Sequence, residues 1–196
     1  MDWLVQSFWA YIIIALMVLF QPEIRRALAQ IGKASFITLT SAEELKSIDE
    51  IVKAAVSLSA RKIGALITFE RETSLGDYIE IGTALDARVT RELLLSIFHP
   101  TSPIHDGAIV IKGNRIVAAG CFLPITLRAD VDKSYGTRHR AALAITEETD
   151  AVAVVVSEES GGISVSIGGD IFKSDDIADL RKTLTDLFTR SKKKQK

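Results

Sequence analysis

Three short clusters of polar residues in this sequence contain the side chains that could carry out chemistry on a ligand. The first cluster is His105, Asp106, Gly107 and Ala108, at the start of the run GAIVIK. A carboxylate at a strand terminus, followed by two residues with almost no side chain, lets a ligand approach the backbone while Asp106 faces it. Neutral imidazole is a common metal ligand, so His105 is a candidate to bind a divalent ion. The alternative is an ordinary turn, which these residue types favour when the cluster is taken alone.

The second cluster places three basic side chains in the first turn of a predicted helix: Arg138, His139 and Arg140. Cations at a helix N-terminus have the wrong sign for the helix macrodipole, so an anion between them would explain their position. Guanidinium groups match phosphate oxygens bidentately, and Thr137 would either cap the helix or hydrogen-bond the same phosphate. The alternative is a solvated basic turn paired with downstream acids, at Glu147, Glu148 or Asp150.

The third cluster, Ser157, Glu158 and Glu159, ends the apolar run VAVVVS. Ligands of open α/β sheets lie outside strand ends, so a hydroxyl and a carboxylate at this place would complete a site. The stretch SEESGG is also a normal hairpin turn, and alone it is a weak signal. The common catalytic signatures are absent from the sequence, including the Walker loop, the GxGxxG fingerprint, the nucleophile elbow and the HExxH helix.

Composition limits the kinds of protein and of site that the chain can form. Its 196 residues suffice for one domain of ordinary size, and 47% hydrophobic with 25% charged residues is typical of a globular α/β protein. A single Cys and three His exclude an internal disulfide and a closed structural zinc cluster. The net charge of −1 gives no general basic field, so we expect no nucleic-acid partner.

The elements before the first cluster are predicted from hydrophobic spacing and from helix end signals. Ser41 and Glu44 form a capping-box pattern, and apolar residues at helical spacing follow as far as about Arg61. The run 63–69 predicts a buried strand, and 78–81 a short second strand. Residues 88–98 predict a helix that ends before Pro100.

From Gly107 onward the sequence predicts two hairpins and two helices. The first hairpin turns at Gly113 and Asn114, where the backbone needs a positive φ. A helix over 137–148 precedes a second hairpin, with strands over 152–157 and 163–167, and a last helix runs from about residue 174 or 175 to about Arg190. Together these elements predict an α/β fold with a mixed β-sheet and helices on both faces.

The chain begins with an apolar segment that explains its positive mean hydropathy of +0.22. Residues 3–20 carry no charge over eighteen positions, which spans most of a bilayer core of about 30 Å. Arg25, Arg26 and Lys33 follow the segment, so the positive-inside rule places the rest of the chain in the cytoplasm. The alternatives are a signal peptide, for which a basic n-region and a cleavage site are missing, and a buried core helix.

The last seven residues, 190–196, carry five positive charges. They predict either a solvated, disordered terminus or a segment that contacts anionic lipid headgroups and reinforces the membrane anchor.

The three clusters together resemble a known family. DGA at 106–108, GTRHRAA at 136–142 and SEE at 157–159, in this order, look like the diadenylate cyclase (DAC) domain. The apolar N-terminus that continues into FQPEIRRALAQIG resembles the membrane-anchored, CdaA-type class of that family. The resemblance implies a transmembrane helix and stalk over 1–32, a catalytic domain over 33–190 and a basic tail over 191–196.

The resemblance also implies a reaction, in which two ATP condense to cyclic di-AMP and two pyrophosphates with a divalent metal, Mg²⁺ or Mn²⁺. Each domain of that family holds one ATP, and two domains meet face to face as a homodimer, so that each 3′-hydroxyl attacks the α-phosphate of the other ATP. The reaction makes a second messenger. A regulatory membrane or cytosolic protein is left open as a further partner.

Roles follow by resemblance for the residues that match. Asp106 would activate the 3′-hydroxyl and, with His105, hold the metal. Gly107 and Ala108 would let the nucleotide approach closely, and Phe122 and Leu123 would pack against adenine. The phosphates would be held by the second and third clusters, at Thr137, Arg138, His139, Arg140, Ser157 and Glu158.

One feature departs from the family pattern, because anchored members usually have three transmembrane helices and this sequence predicts one. We expect either a fragment that begins inside the anchor or a shortened natural form. Two alternative functions remain: a catalytically silent nucleotide-binding sensor or interaction module on the same fold, and another metal-dependent nucleotidyltransferase that acts on one ATP.

Overall fold

The computed structural model describes residues 41–132, 134–174 and 176–193. The predicted transmembrane segment, the stalk and residues 194–196 of the basic tail lie outside these ranges. Within the described ranges, no helix combines the length and the apolar character that crossing a bilayer requires.

Helices and strands alternate in the first half of the described chain, whereas hairpins place strands next to one another in the second half. The first half contains α1 (Ser41–Ala60), β1 (Ala65–Glu70), α2 (Gly76–Ile79), β2 (Thr83–Arg88), α3 (Arg91–Ile97) and β3 (Ala108–Lys112). The second half contains β4 (Arg115–Cys121), α4 (Thr137–Glu148), β5 (Val152–Val156), β6 (Ile163–Ile167), β7 (Asp170–Lys173) and α5 (Ile177–Lys193).

The strands form one sheet in the order β2-β4-β3-β1-β5-β6-β7. Strand β1 is parallel to β3, whereas the other neighbouring pairs are antiparallel. The prediction of a mixed sheet is therefore confirmed. These directions bring the starts of β1 and β3 and the ends of β4 and β5 to the same edge of the sheet, that is, the edge formed by strand ends and not by an outer strand. Ala65 pairs with Val156 there, and Ala108 with Cys121.

Helices cover both faces of the sheet, as predicted. Because successive side chains of a strand point to opposite faces, Leu66 and Ile67 of β1 belong to different cores. Ile67 packs with the apolar stripes of α1, α3 and α5, which include Ile51, Leu94 and Leu184. Leu66 packs with α4, whose small residues Ala141 and Ala142 suit close approach to the sheet.

The prediction of a strand over 78–81 is wrong, because Gly76–Ile79 forms the short helix α2. The strand begins later, at Thr83, and runs to Arg88, where the sequence predicted a helix to start. Strand β2 is an edge strand with mostly exposed side chains, so it lacks the apolar run that marks a buried strand. Its pairing with β4, a long-range contact, decides its structure.

Strand β7 was not predicted either, although the sequence contains a signal for it. Gly168 and Gly169 both have positive φ (59° and 81°) and join β6 to β7 through a two-residue turn. A Gly-Gly pair between short runs is a hairpin signal. The predicted hairpin is confirmed, with φ of 61° at Gly113, but the positive φ predicted for Asn114 is wrong.

The last helix begins at Ile177 and continues to Lys193, somewhat beyond the predicted end at Arg190. The Asp176 carboxylate accepts a hydrogen bond of 2.6 Å from the backbone N–H of Asp179. This is the capping role that an acidic residue has at a helix start.

Candidate active site

The second and third clusters meet at the sheet edge described above, where α4 begins and β5 ends. A surface pocket there is lined by Ser134, Gly136, Thr137, Arg138, His139, Val156, Ser157, Glu158 and Glu159. The connection after β4 leads to the start of α4, and this helix start lies beside the end of β5, where residues of both line the pocket. Two clusters that are distant in sequence thereby form one concave site.

An ion pair between Arg138 and Glu158 lies in this pocket. Arg138 Nη1 donates to Glu158 Oε2 at 2.7 Å, and the Arg138 side chain is only 18% exposed. The Nε of Arg138 is buried and has no hydrogen-bond partner in the structure. A buried guanidinium N–H without a partner is costly, so this side chain suits an anion that accepts a further hydrogen bond.

The start of α4 has no side-chain cap. Gly136 is the N-cap residue, and Thr137 is already helical, so the prediction that Thr137 caps the helix is wrong. Thr137 lines the pocket, so the predicted hydrogen bond from Thr137 to a phosphate stays a prediction. An uncapped helix start retains the N–H groups and the partial positive charge that bind anions.

His139 lines the same pocket but is 7% exposed. Its ring stacks on Tyr135, with centroids 4.9 Å apart and planes at 11°. Burial lowers the pKa of His139, and this effect outweighs the nearby Glu159, which raises it. The neutral imidazole is therefore favoured, so His139 suits packing or hydrogen bonding better than a permanent positive charge.

Arg140 is not among the residues that line the pocket. Its carbonyl accepts a hydrogen bond from the backbone N–H of Thr126, at 3.3 Å. This bond attaches the connection after β4 to the first turn of α4. The structure thus gives the backbone of Arg140 a structural contact and does not bring its side chain to the pocket.

The first cluster lies at the start of β3, on the same edge of the sheet. Asp106 is exposed, and His105 Nδ1 lies 2.6 Å from the carbonyl oxygen of Ser102. Because a carbonyl only accepts, Nδ1 carries the proton and the Nε2 lone pair remains available. Neither residue belongs to the lining of the pocket that contains Arg138.

Gly107 has a backbone role that the sequence did not reveal. Its φ is +121°, and a Cβ there would lie 2.8 Å from the carbonyl oxygen of Cys121. The neighbouring strand is thus a close contact that demands glycine at this position. Ala108 is fully buried in the core between the sheet and α4.

Phe122 and Leu123 follow β4 and have different environments. Phe122 is largely exposed, whereas Leu123 is partly buried against the core beneath α4. Further along the same connection, Leu127 is 95% exposed. Phe122 directly follows Cys121, which pairs with Ala108, so an exposed apolar side chain lies near the start of β3.

Sequence reasoning missed Gly64 and Ser134. Ser134 lines the pocket, and Gly64 lies against the Arg138–Glu158 pair. An isolated glycine in the run IGALITF was a usable signal, since glycine at a strand often marks a close approach. Ser134 precedes α4 without a distinguishing pattern.

A divalent metal would find only part of its ligand set in the described residues, which contain no group of three or more His, Cys, Asp or Glu able to hold one. His105 and Asp106 supply one imidazole and one exposed carboxylate. The carboxylate suits Mg²⁺ or Mn²⁺, which take oxygen ligands and would complete their shell with waters and substrate phosphates, whereas imidazole is a ligand of softer transition metals.

Comparison with known proteins gives a family match. Residues 52–171 match the family model described as DisA bacterial checkpoint controller nucleotide-binding (DAC). The cyclic di-AMP synthase CdaA of Bacillus subtilis is 46% identical over 177 residues, which cover 88% of this chain and 65% of that protein. The chain thus spans about two thirds of the length of this relative.

Two solved structures share the fold. A double mutant of DacA from Staphylococcus aureus superposes with a TM-score of 0.71 at 44% identity, covering 73% of this chain and 95% of that one. A protein described as a hypothetical membrane spanning protein from Bacillus cereus gives 0.65 at 39% identity, covering 82% and 80%.

Proposed function

Because the chain belongs to the diadenylate cyclase (DAC) family, the nucleotidyltransferases that make cyclic di-AMP, we propose that it condenses two ATP into this second messenger. The Arg138–Glu158 pair carries the proposal, since the Nε–H of Arg138 is a buried, unused donor at the uncapped start of α4. That arrangement suits a phosphate group of the nucleotide. Thr137 and Ser157 line the same pocket and would add hydroxyl donors to the phosphates.

In the proposed reaction, the 3′-hydroxyl oxygen of one ATP forms a bond to the α-phosphorus of the other. The bond from that phosphorus to the bridging oxygen of the β-phosphate breaks, and pyrophosphate leaves. The exposed carboxylate of Asp106 accepts the hydroxyl proton. Two such steps close the ring. Positioning and charge stabilisation account for most of the catalysis in phosphoryl chemistry of this kind, so a Walker loop is not required.

The proposed catalytic assembly is a face-to-face homodimer. Asp106 and Phe122 are exposed at the edge that holds the pocket, where a second subunit could meet them. Each subunit would hold one ATP in its own pocket. Activity per molecule should therefore rise with protein concentration and level off once dimers dominate, whereas a reaction within one subunit gives a constant value.

His105 and Asp106 are the residues that would hold the divalent metal. The proton on Nδ1 of His105 leaves Nε2 as the metal-binding atom, and Asp106 adds a carboxylate oxygen. A bound Mg²⁺ or Mn²⁺ would neutralise charge on the phosphates. Phe122 and Leu123 would pack against adenine. The small side chain of Ala108 would let the nucleotide approach the start of β3 closely.

We propose a membrane location for the protein, with the catalytic domain, residues 33–190, in the cytoplasm. The uncharged segment 3–20 and the basic residues after it support this orientation. A structural neighbour described as membrane spanning supports the association.

The full chain, incubated with ATP and Mn²⁺ or Mg²⁺, tests the function when its products are resolved by mass. The expected products are cyclic di-AMP and pyrophosphate. ATP binding without products would support the sensor or interaction module instead. Product formed from a single ATP would support another nucleotidyltransferase.

A further inference from the structure

Gly64, the residue before β1, lies against the Arg138–Glu158 ion pair. A Cβ on Gly64 would be 2.6 Å from Arg138 Nη1 and 2.8 Å from Glu158 Oε2. We infer that Gly64 is a positioning residue for the reaction, because its missing side chain leaves the space in which this pair forms. The inference rests on the proposed role of Arg138 at the phosphates.

The end of α1 determines where Gly64 lies. Lys62 adopts a positive φ of 53°, and the N–H of Ile63 bonds to the Leu58 carbonyl at 2.9 Å, which is the geometry of a left-handed helix cap. The chain then enters β1, where Ala65 pairs with Val156. The antiparallel register continues by one step to place Gly64 beside Ser157, next to Glu158.

The same helix end also holds the turn that carries Glu158. Ser59 Oγ donates to the Gly161 carbonyl at 2.5 Å, and a Cβ on Gly161 would lie 2.8 Å from the Ser59 carbonyl oxygen. The end of α1 therefore contacts the β5–β6 turn directly. It is also followed in the chain by Gly64, which lies against the ion pair. The same helix end thus precedes Gly64 in the chain and contacts the turn that carries Glu158.

The backbone of Gly64 does not itself require glycine. Gly64 is not among the glycines with positive φ, so an alanine could adopt its conformation. The atoms that a Cβ would meet are the ends of two long side chains, not backbone. A Gly64→Ala variant should thus fold and displace the pair, which separates a positioning role from a structural one.

A double-mutant cycle on the purified full chain tests this inference. ATP affinity is measured by calorimetry for the parent chain, Gly64→Ala, Arg138→Ala and the double variant, and thermal unfolding is recorded for each. Gly64→Ala should weaken ATP binding about tenfold in the parent chain and less than about twofold when Arg138 is already alanine, because the effects of residues in contact are not additive.

Gly76→Ala is the matched control, since a Cβ there meets only Ser74 Oγ, at 3.4 Å, and the ATP affinity of this variant should be unchanged.

Three results would overturn the inference while the role of Arg138 survives. The first is an equal loss of ATP affinity from Gly64→Ala with and without Arg138. The second is no loss of ATP affinity from Gly64→Ala while Arg138→Ala weakens ATP binding. The third is a Gly64→Ala chain that shows no cooperative unfolding transition. Loss of cooperative unfolding would mean that the Cβ clashes with atoms that cannot move aside. If Arg138→Ala itself leaves ATP affinity unchanged, the proposed phosphate role of Arg138 is wrong, and the inference about Gly64 is wrong with it.

Discussion

Arg138 and Glu158 lie 20 positions apart in the sequence and meet at 2.7 Å across the edge of the sheet. One is in the first turn of α4 and the other follows β5, so the pair exists only when α4 packs against the sheet. Arg138 reaches the pocket with one buried donor still unused. This relationship brings two clusters that are ambiguous alone into one pocket, which is the proposed phosphate site.

Arg138→Ala should weaken ATP binding about ten- to one-hundredfold, because charge-assisted hydrogen bonds to a phosphate are lost. Calorimetric titration of the full chain with ATP measures the effect. Arg181→Ala is the matched control, since that guanidinium forms an exposed pair with Asp49 at 2.6 Å on another part of the surface. An affinity within twofold of the parent chain for Arg138→Ala would contradict the proposed phosphate role.

Asp106→Asn should abolish cyclic di-AMP formation and leave ATP binding nearly unchanged. The amide keeps the size of the side chain but cannot accept the proton of the 3′-hydroxyl. Product analysis by mass and a binding titration give the two quantities separately. Asp77→Asn, an exposed acid in α2, should keep full activity. Unchanged turnover in Asp106→Asn would remove this residue from the chemistry.

Gly107→Ala should lower the free energy of unfolding by about 2 kcal/mol or more, because a strained φ is combined with a close backbone contact. The φ of +121° and the carbonyl of Cys121 at 2.8 Å leave no room for a Cβ. Denaturant unfolding measures the change, and Gly76→Ala should show no such loss. Parent-like stability in Gly107→Ala would contradict the backbone role.

His139 should make the folded state less stable as the pH falls. Burial places its pKa below the usual value of 6.5, so the unfolded chain binds more protons between the two values. Above pH 6.5 this penalty is absent, and it grows as the pH falls from there toward the depressed pKa.

Unfolding free energies measured between about pH 7 and 5 test the role of His139. The His139→Gln variant should show a flatter pH dependence than the parent chain. Equal slopes for His139→Gln and the parent chain would argue against the penalty.

Apolar periodicity predicted most of the fold. Strands β1, β3, β5 and β6 are buried and rich in branched residues, and α1 carries an apolar stripe, so local pattern and tertiary environment agree. The edge strands β2 and β7 have no such pattern, since one side of each meets solvent. Their structure depends on pairing with β4 and β6, which a local pattern does not contain.

The sequence by itself determined the residue types of the site, their order and the family that they resemble, because these depend on side-chain chemistry and spacing. Only the tertiary structure decided which of them meet. It joined Arg138 to Glu158, buried His139 against Tyr135, kept the side chain of Arg140 out of the pocket and gave Gly107 a backbone role. The physical reason is that these relationships depend on how α4 and the neighbouring strands pack, and packing joins residues that are distant along the chain.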